Sequence, residues 1–278
     1  DYYAEFKQTG YGATDHRLKV RIAKCKADLI EALGAYKVSK QPIQTITRKD
    51  ANAYRDTLAG RMSANSVARY KNTLNAAFNW YIKENGLEIT SPFAGLLIKG
   101  AGSSKVDRLP LQDAHIKLLE PAMKESEIAW ALYVLLRDTG ARVAEIAGLR
   151  VQDCDTDKGC LTITPTPWRR LKNKTSERSV PLSQEAATLL KDLIKGKVAE
   201  EPVFERYAKD RGMDNCSQML MKRLRTVITD KKLTMHSLRH RMKDQLRNTG
   251  CPEAISMVIL GHGSNTVAAN YGSGCLAP

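Results

Sequence analysis

No stretch of this 278-residue chain is apolar for long enough to cross a bilayer. Its first residues, DYYAEFKQTG, lack a starting Met and the basic-then-apolar pattern of a secretory leader. They read as the start of a fragment or processed chain, with sequence missing upstream. The six cysteines, at 25, 154, 160, 216, 251 and 275, form no CxxC pair and have no histidine at zinc spacing. A chain of this length can fold on its apolar core, so a disulfide framework is not needed. The cysteines read as reduced thiols in a cytoplasmic protein. There is no GxxxxGK[ST] phosphate loop and no Asp/Glu cluster at metal-ligand spacing. Nothing here asks for ATP, a metal or another cofactor. Internal repeats and low-complexity stretches are also missing.

What the chain does have is positive charge, +14 in all. Residues 1–104 hold sixteen Lys/Arg against nine Asp/Glu, and the remainder holds twenty-eight against twenty-one. Each part therefore carries +7, so the excess is not a basic tail. Two basic globular parts suit a polyanion held between them, which points to nucleic acid.

Hydrophobic periodicity predicts helices through most of the chain. In SANSVARYKNTLNAAFNWYIKENG (63–86), Val67, Tyr70, Leu74, Ala77, Phe78, Tyr81 and Ile82 fall on one stripe. Ser63 or Asn65 can cap its start, and Asn85-Gly86 suits a left-handed stop. RLKVRIAKCKADLIEALG and KDANAYRDTLAGR read as two more helices before it. KGAGSSKVDR (99–108) is small, polar and positive, and reads as a linker between a helical domain, 1–102, and a second domain, 103–278. In the second part, EIAWALYVLLRDTG (127–140) is apolar enough to be a buried helix. A short helix follows in TGARVAEIAGLR, with Val143, Ile146, Ala147 and Leu149 facing inward. CLTIT (160–164) and the two flanks of WRRLKNKTSERSVPL (168–182) read as three strands, the last two joined by a turn. Four further helices cover SQEAATLLKDLIKG, NCSQMLMKRLRTVI, MHSLRHRMKDQLRN and PEAISMVILG. The expected fold is mainly α with a small antiparallel sheet, in two domains.

A handful of polar residues sit where packing alone does not explain them. Arg142 follows a buried helix and opens an apolar one, so its guanidinium must be paired or face a ligand. Glu145, three residues on, shares its helix face and can orient it. His236 and Arg239, in HSLRH, are spaced at nearly one helical turn and project from one face. His240 and Arg241 point elsewhere on that helix and read as solvated or phosphate-backbone positions. Lys172 and Lys174 lie at the predicted turn, where a lysine serves either solubility or proton donation. His262 follows Gly261 at a helix end, where the dipole favours a cation. Tyr271, nine residues later, lies among small residues that leave its ring room to move.

Taken in order, TGARVAEIAGLR, KTSERSVPL, HSLRH and LGHGSNTVAANYG resemble the tyrosine recombinases, the phage-type integrases. The resemblance covers essentially all of 105–278, and residues 63–93 look like the last helix of that family's core-binding domain. It implies a site-specific recombinase that cuts and rejoins DNA through a 3′-phosphotyrosine. Tyr271 would attack the phosphate and His236 would accept its proton. Arg142, Arg239 and His262 would bind the nonbridging oxygens, and Glu145 would support Arg142. A lysine would protonate the departing 5′ oxygen, and the resemblance implies Lys174, whose distance to Arg178 and Val180-Pro181 fits the family's turn better than that of Lys172. Arginines, not a metal ion, would meet the phosphoryl charge, so neither metal nor cofactor is implied. The partners implied are double-stranded DNA attachment sites, a homo-tetramer on DNA and accessory DNA-bending proteins, with no membrane, in the cytoplasm of a bacterial cell. A non-cutting DNA-binding module of the same fold and a type IB topoisomerase are the alternative readings. One departure stands out: the chain stops seven residues after Tyr271, at GSGCLAP, where the family commonly continues. The implied truncation would impair assembly.

Overall fold

The computed structural model describes residues 3, 16–102, 108–171 and 176–262. The chain divides into two compact units, Asp1–Lys105 and Val106–Pro278.

The first unit is helical: α1 (His16–Leu33), α2 (Ala35–Lys40), α3 (Arg48–Ala59) and α4 (Ala64–Glu84). Local chemistry sets their ends. Ser63 caps α4 by accepting from the Ser66 amide, and Thr47 and Asp50 form a reciprocal capping box on α3. The apolar stripe of α4 is buried through Val67, Leu74, Phe78 and Ile82. Tyr81, expected on that stripe, is 41% exposed, while Tyr70 packs against the core's edge. Helices α1 and α3 complete the core with Cys25, Leu29, Ala51, Tyr54 and Leu58. Phe93, from the stretch after α4, is fully buried, with its ring edge-on to Tyr54 at 5.8 Å and Phe78 at 5.0 Å.

The second unit contains α5 (Asp113–Lys124), α6 (Glu127–Thr139), α7 (Val143–Ala147), α8 (Gln184–Ile194), α9 (Gly212–Val227), α10 (Ser237–Asn248) and α11 (Glu253–Leu260). Helix α6 is the central rod. Its run Ala131–Leu136 is buried on every side, and α5, α7, α8 and α10 all pack against it. Helix α5 is a surprise in the segment that opens at Pro110-Leu111. It forms despite Pro121 in its interior, because Leu119, Ala122 and Met123 are buried in the core.

The small sheet is antiparallel and three-stranded, but its strands differ from those expected. The order is β1 (Cys154–Asp155), β2 (Cys160–Ile163) and β3 (Arg178–Pro181), with Leu161 opposite both Cys154 and Val180. The stretch from Trp168 contributes no strand. Pro165 and Pro167 lack ladder donors, and the chain instead closes on itself through mutual bonds between Thr166 and Arg169. The Trp168 indole donates to the Gly148 carbonyl, which pins this turn beside α7. Among the described residues no helix is long and apolar enough to cross a membrane.

Phe93→Ala should lower the unfolding free energy by about 3–5 kcal/mol, because the ring is buried against two other aromatics. Urea titration of the full chain measures it. A loss below about 1 kcal/mol would mean that Phe93 is not a keystone of the first unit.

Candidate active site

Arg142 is delivered by a tight exit from α6. Gly140 ends that helix in the left-handed region, at φ 61°, and a Cβ there would meet Met242 Cγ at 2.7 Å. Thr139 steadies the bend by donating to the Leu135 carbonyl and accepting from the Ala141 amide. Arg142 is then the first residue before α7, and Glu145 lies in its first turn.

The Glu145 carboxylate is the hub of the cluster. It is buried, and it accepts from the Arg142 amide at 2.9 Å, from Arg142 Nη1 at 2.5 Å and from Arg178 Nη2 at 3.0 Å. Burial pushes its pKa up, but the hydrogen bonds and charges of Arg178 and Arg142 outweigh this and hold it below the ordinary carboxylate value. Arg178 is itself fully engaged. Its Nε donates to the Ile259 carbonyl at 2.7 Å and its Nη1 to the Ser176 carbonyl at 2.8 Å, tying β3 to the end of α11.

Helix α11 ends at Gly261, at φ 60°, with the His262 amide reaching back to the Met257 carbonyl at 2.9 Å. This turn presents two successive carbonyls to two arginines from distant parts of the chain. Arg142 Nη2 donates to Gly261 at 3.4 Å, and Arg239 Nη2 donates to Leu260. Arg239 also donates to Gly140 at 2.9 Å. A Cβ on Gly261 would sit 2.6 Å from Arg178 Nη1, so the guanidinium packing requires glycine at this position. Arg169 packs on Gly148 in the same way, where a Cβ would meet its Nε at 2.6 Å.

The electrostatics follow from crowding cations. Burial and the Arg142 charge lower Arg239 to about 10, so it remains charged at neutral pH. His236, half-buried at the start of α10, is pushed down to about 4 by burial and by His240, Arg239, Arg108 and Arg142. His262 is also lowered to about 4, by partial desolvation of its ring and by Arg239, Lys243, Arg142 and Arg178. Both shifts favour neutral imidazoles at pH 7. A neutral imidazole can accept a proton or donate one N–H.

Arg142, Glu145, Arg239 and His262 thus converge, and His236 lies within the electrostatic reach of both arginines. Lys172, Lys174 and Tyr271 lie outside the described residues. Two residues read differently from the sequence. Arg241 is not a solvated position, since it donates to the Leu111 carbonyl and pairs with Asp113. His240 is half-buried, with its ring against that of His236. Arg178 served in the sequence only as a landmark for the turn. Its signal was register, because Arg178 and Val180 alternate inward on β3, and an inward arginine demands a buried anion.

The sequence profile of the phage integrase family matches residues 110–273. The chain is 26% identical to tyrosine recombinase XerC of Thermodesulfovibrio yellowstonii over 279 aligned residues, which cover 94% of this chain and 86% of that protein. It is 25% identical to tyrosine recombinase XerA of Pyrococcus furiosus over 158 residues, 56% of this chain and about half, 53%, of XerA. Its fold is similar to that of lambda integrase solved as a tetramer bound to a Holliday junction, with a TM-score of 0.70 and 19% identity, covering 96% of this chain and 74% of that one. The chain belongs to the phage integrase family.

Glu145→Gln keeps the side-chain shape and removes the charge, leaving two guanidiniums without their carboxylate. Unfolding free energy at neutral pH should fall by about 3–5 kcal/mol. Because the folded carboxyl is held below its ordinary value, its contribution is complete above that value and lost as pH falls through the lowered one. The stabilities of wild type and variant should therefore converge in acid. A gap of constant size between about pH 7 and about pH 3 would show that the charge is not what holds the cluster.

Proposed function

We propose that this chain cleaves and rejoins double-stranded DNA at specific attachment sites through a 3′-phosphotyrosine on Tyr271, as the integrase of a phage or related mobile element. The observation that best supports this is the convergence of Arg142 and Arg239 on the consecutive carbonyls of Leu260 and Gly261, immediately before His262. Two guanidiniums held beside one another, with a single carboxylate between Arg142 and Arg178, leave an excess of positive charge that a phosphate neutralises.

The roles follow from that charge. The Tyr271 oxygen attacks the scissile phosphorus, and its proton passes to neutral His236. The phosphorus–O5′ bond breaks, and a lysine, Lys174 in this reading, protonates the leaving 5′ oxygen. Negative charge in the pentacoordinate transition state is met by Arg142, Arg239 and the His262 N–H. Glu145 keeps Arg142 in place. The phosphotyrosine conserves the bond energy, so the 5′-hydroxyl of another strand can reverse the step. Residues 1–102 serve as the core-binding domain and 103–278 as the catalytic domain. Lambda integrase is tetrameric on its Holliday junction, and we extend that assembly to this chain, along with accessory DNA-bending proteins and action in a bacterial cytoplasm.

The test is a suicide substrate nicked beside the mapped cleavage site. Wild type should trap a covalent protein–DNA adduct, while Tyr271→Phe binds the same DNA equally well and traps none. Absence of adduct from wild type on its cognate site would favour a protein that binds without cutting. Joining of two different duplexes separates recombination from simple relaxation. For the lysines, DNA with a 5′-phosphorothiolate has a leaving group that needs no proton. It should restore cleavage to Lys174→Ala, and restoration of Lys172→Ala alone would move the role to Lys172.

A further inference from the structure

Chemistry at His236 depends on where its ring points, yet among the described residues no hydrogen bond holds that ring. A proton acceptor is ordinarily oriented by a third group. The group beside this one is His240. The two rings meet edge-to-face, with centroids 5.1 Å apart and planes at 85°. The spacing explains the contact: His236 is the residue before α10, and its carbonyl accepts from the His240 amide at 3.4 Å, so the two side chains stack along one face of the first turn.

His240 is also poorly served by its own surroundings. Its Nε2 is buried without a hydrogen-bond partner among the described residues. An unsatisfied buried nitrogen destabilises a fold, so stability alone does not account for an imidazole here. The charged groups around the pair are cationic with one exception. Arg108, Arg142 and Arg239 face His236, while Arg108, Arg239, Lys243 and the opposing Asp244 face His240. Both rings are accordingly neutral at physiological pH, and edge-to-face attraction acts between them without charge repulsion.

We propose that His240 is a positioning residue, whose ring, set edge-to-face against His236, holds the His236 imidazole in the orientation that receives the Tyr271 proton. The proposal rests on the reading of His236 as proton acceptor given above. Misorientation of an acceptor slows proton transfer without altering how DNA is bound, so the effect belongs in the cleavage rate and not in affinity.

Single-turnover cleavage of the nicked substrate, with DNA affinity measured in parallel, tests this on the full chain. His240→Ala should slow cleavage by about tenfold at unchanged affinity. His240→Phe, which keeps a ring edge and removes the unsatisfied nitrogen, should stay within about threefold of wild type and have a raised Tm. The double variant His236→Ala with His240→Ala should cleave no more slowly than His236→Ala alone, since His240 acts only through His236. Wild-type cleavage by His240→Ala would overturn the proposal. So would a Phe variant as slow as Ala, or single effects that multiply in the double variant. If His240→Ala does not fold, the Phe variant and its combination with His236→Ala decide the matter by the same comparison. Wild-type cleavage by His236→Ala would instead remove the acceptor reading itself, and this proposal with it.

Discussion

One buried carboxylate organises the second unit's polar centre. Glu145 lies between Arg142 and Arg178, and each of its oxygens accepts from a guanidinium. A carboxylate taken out of water is costly unless paired, and so is a buried guanidinium. Together they are tolerable, and the pairing fixes three elements at once: the start of α7, strand β3 and, through Ile259, the end of α11. Remove the carboxylate and two cations repel across the space it occupied.

The same constraint explains the glycines. Guanidiniums are wide and planar, and they approach the backbone closely only where no Cβ intervenes. Gly261 faces Arg178 in this way, and Gly148 faces Arg169. Gly140 and Gly261 also adopt left-handed conformations that turn the chain at the ends of α6 and α11. Those two turns aim backbone carbonyls at Arg239 and Arg142. Both guanidiniums are thereby held in place by backbone carbonyls of the fold itself. The Arg142 contacts to Gly261 and Ser176, at 3.4 and 3.5 Å, are long. They are weaker than its 2.5 Å contact with Glu145, which is short and charge-assisted.

Much of this was legible in linear order. Arg142 with Glu145, and His236 with Arg239, are near neighbours in sequence, and helical spacing alone places each pair on one face. Helix α4 announced itself by its apolar stripe and its Ser63 cap, and α6 by its unbroken apolar run. The failures have physical causes. Helix α5 forms around a proline because its apolar side is buried, which propensity does not see. The stretch from Trp168 closes as a turn beside α7, so the short β1 takes the place at the sheet's edge. Arg241 and His240 read as surface positions because their partners, Leu111, Asp113 and the His236 ring, are recognised only once the chain is folded.

The residues by themselves carried the family: arginines, histidines and a tyrosine in the order that resembles the phage-type integrases. Within each motif that information is local, carried by residue type and by separations of a few positions, and between motifs only by their order. Tertiary structure decided which charges meet. Arg142 and Arg178 share one carboxylate although 36 residues separate them, and Arg142 and Arg239, 97 residues apart, flank one helix end. Such pairings depend on the packing of α7, β3, α10 and α11, and on a low-dielectric interior in which opposite charges attract more strongly than in water.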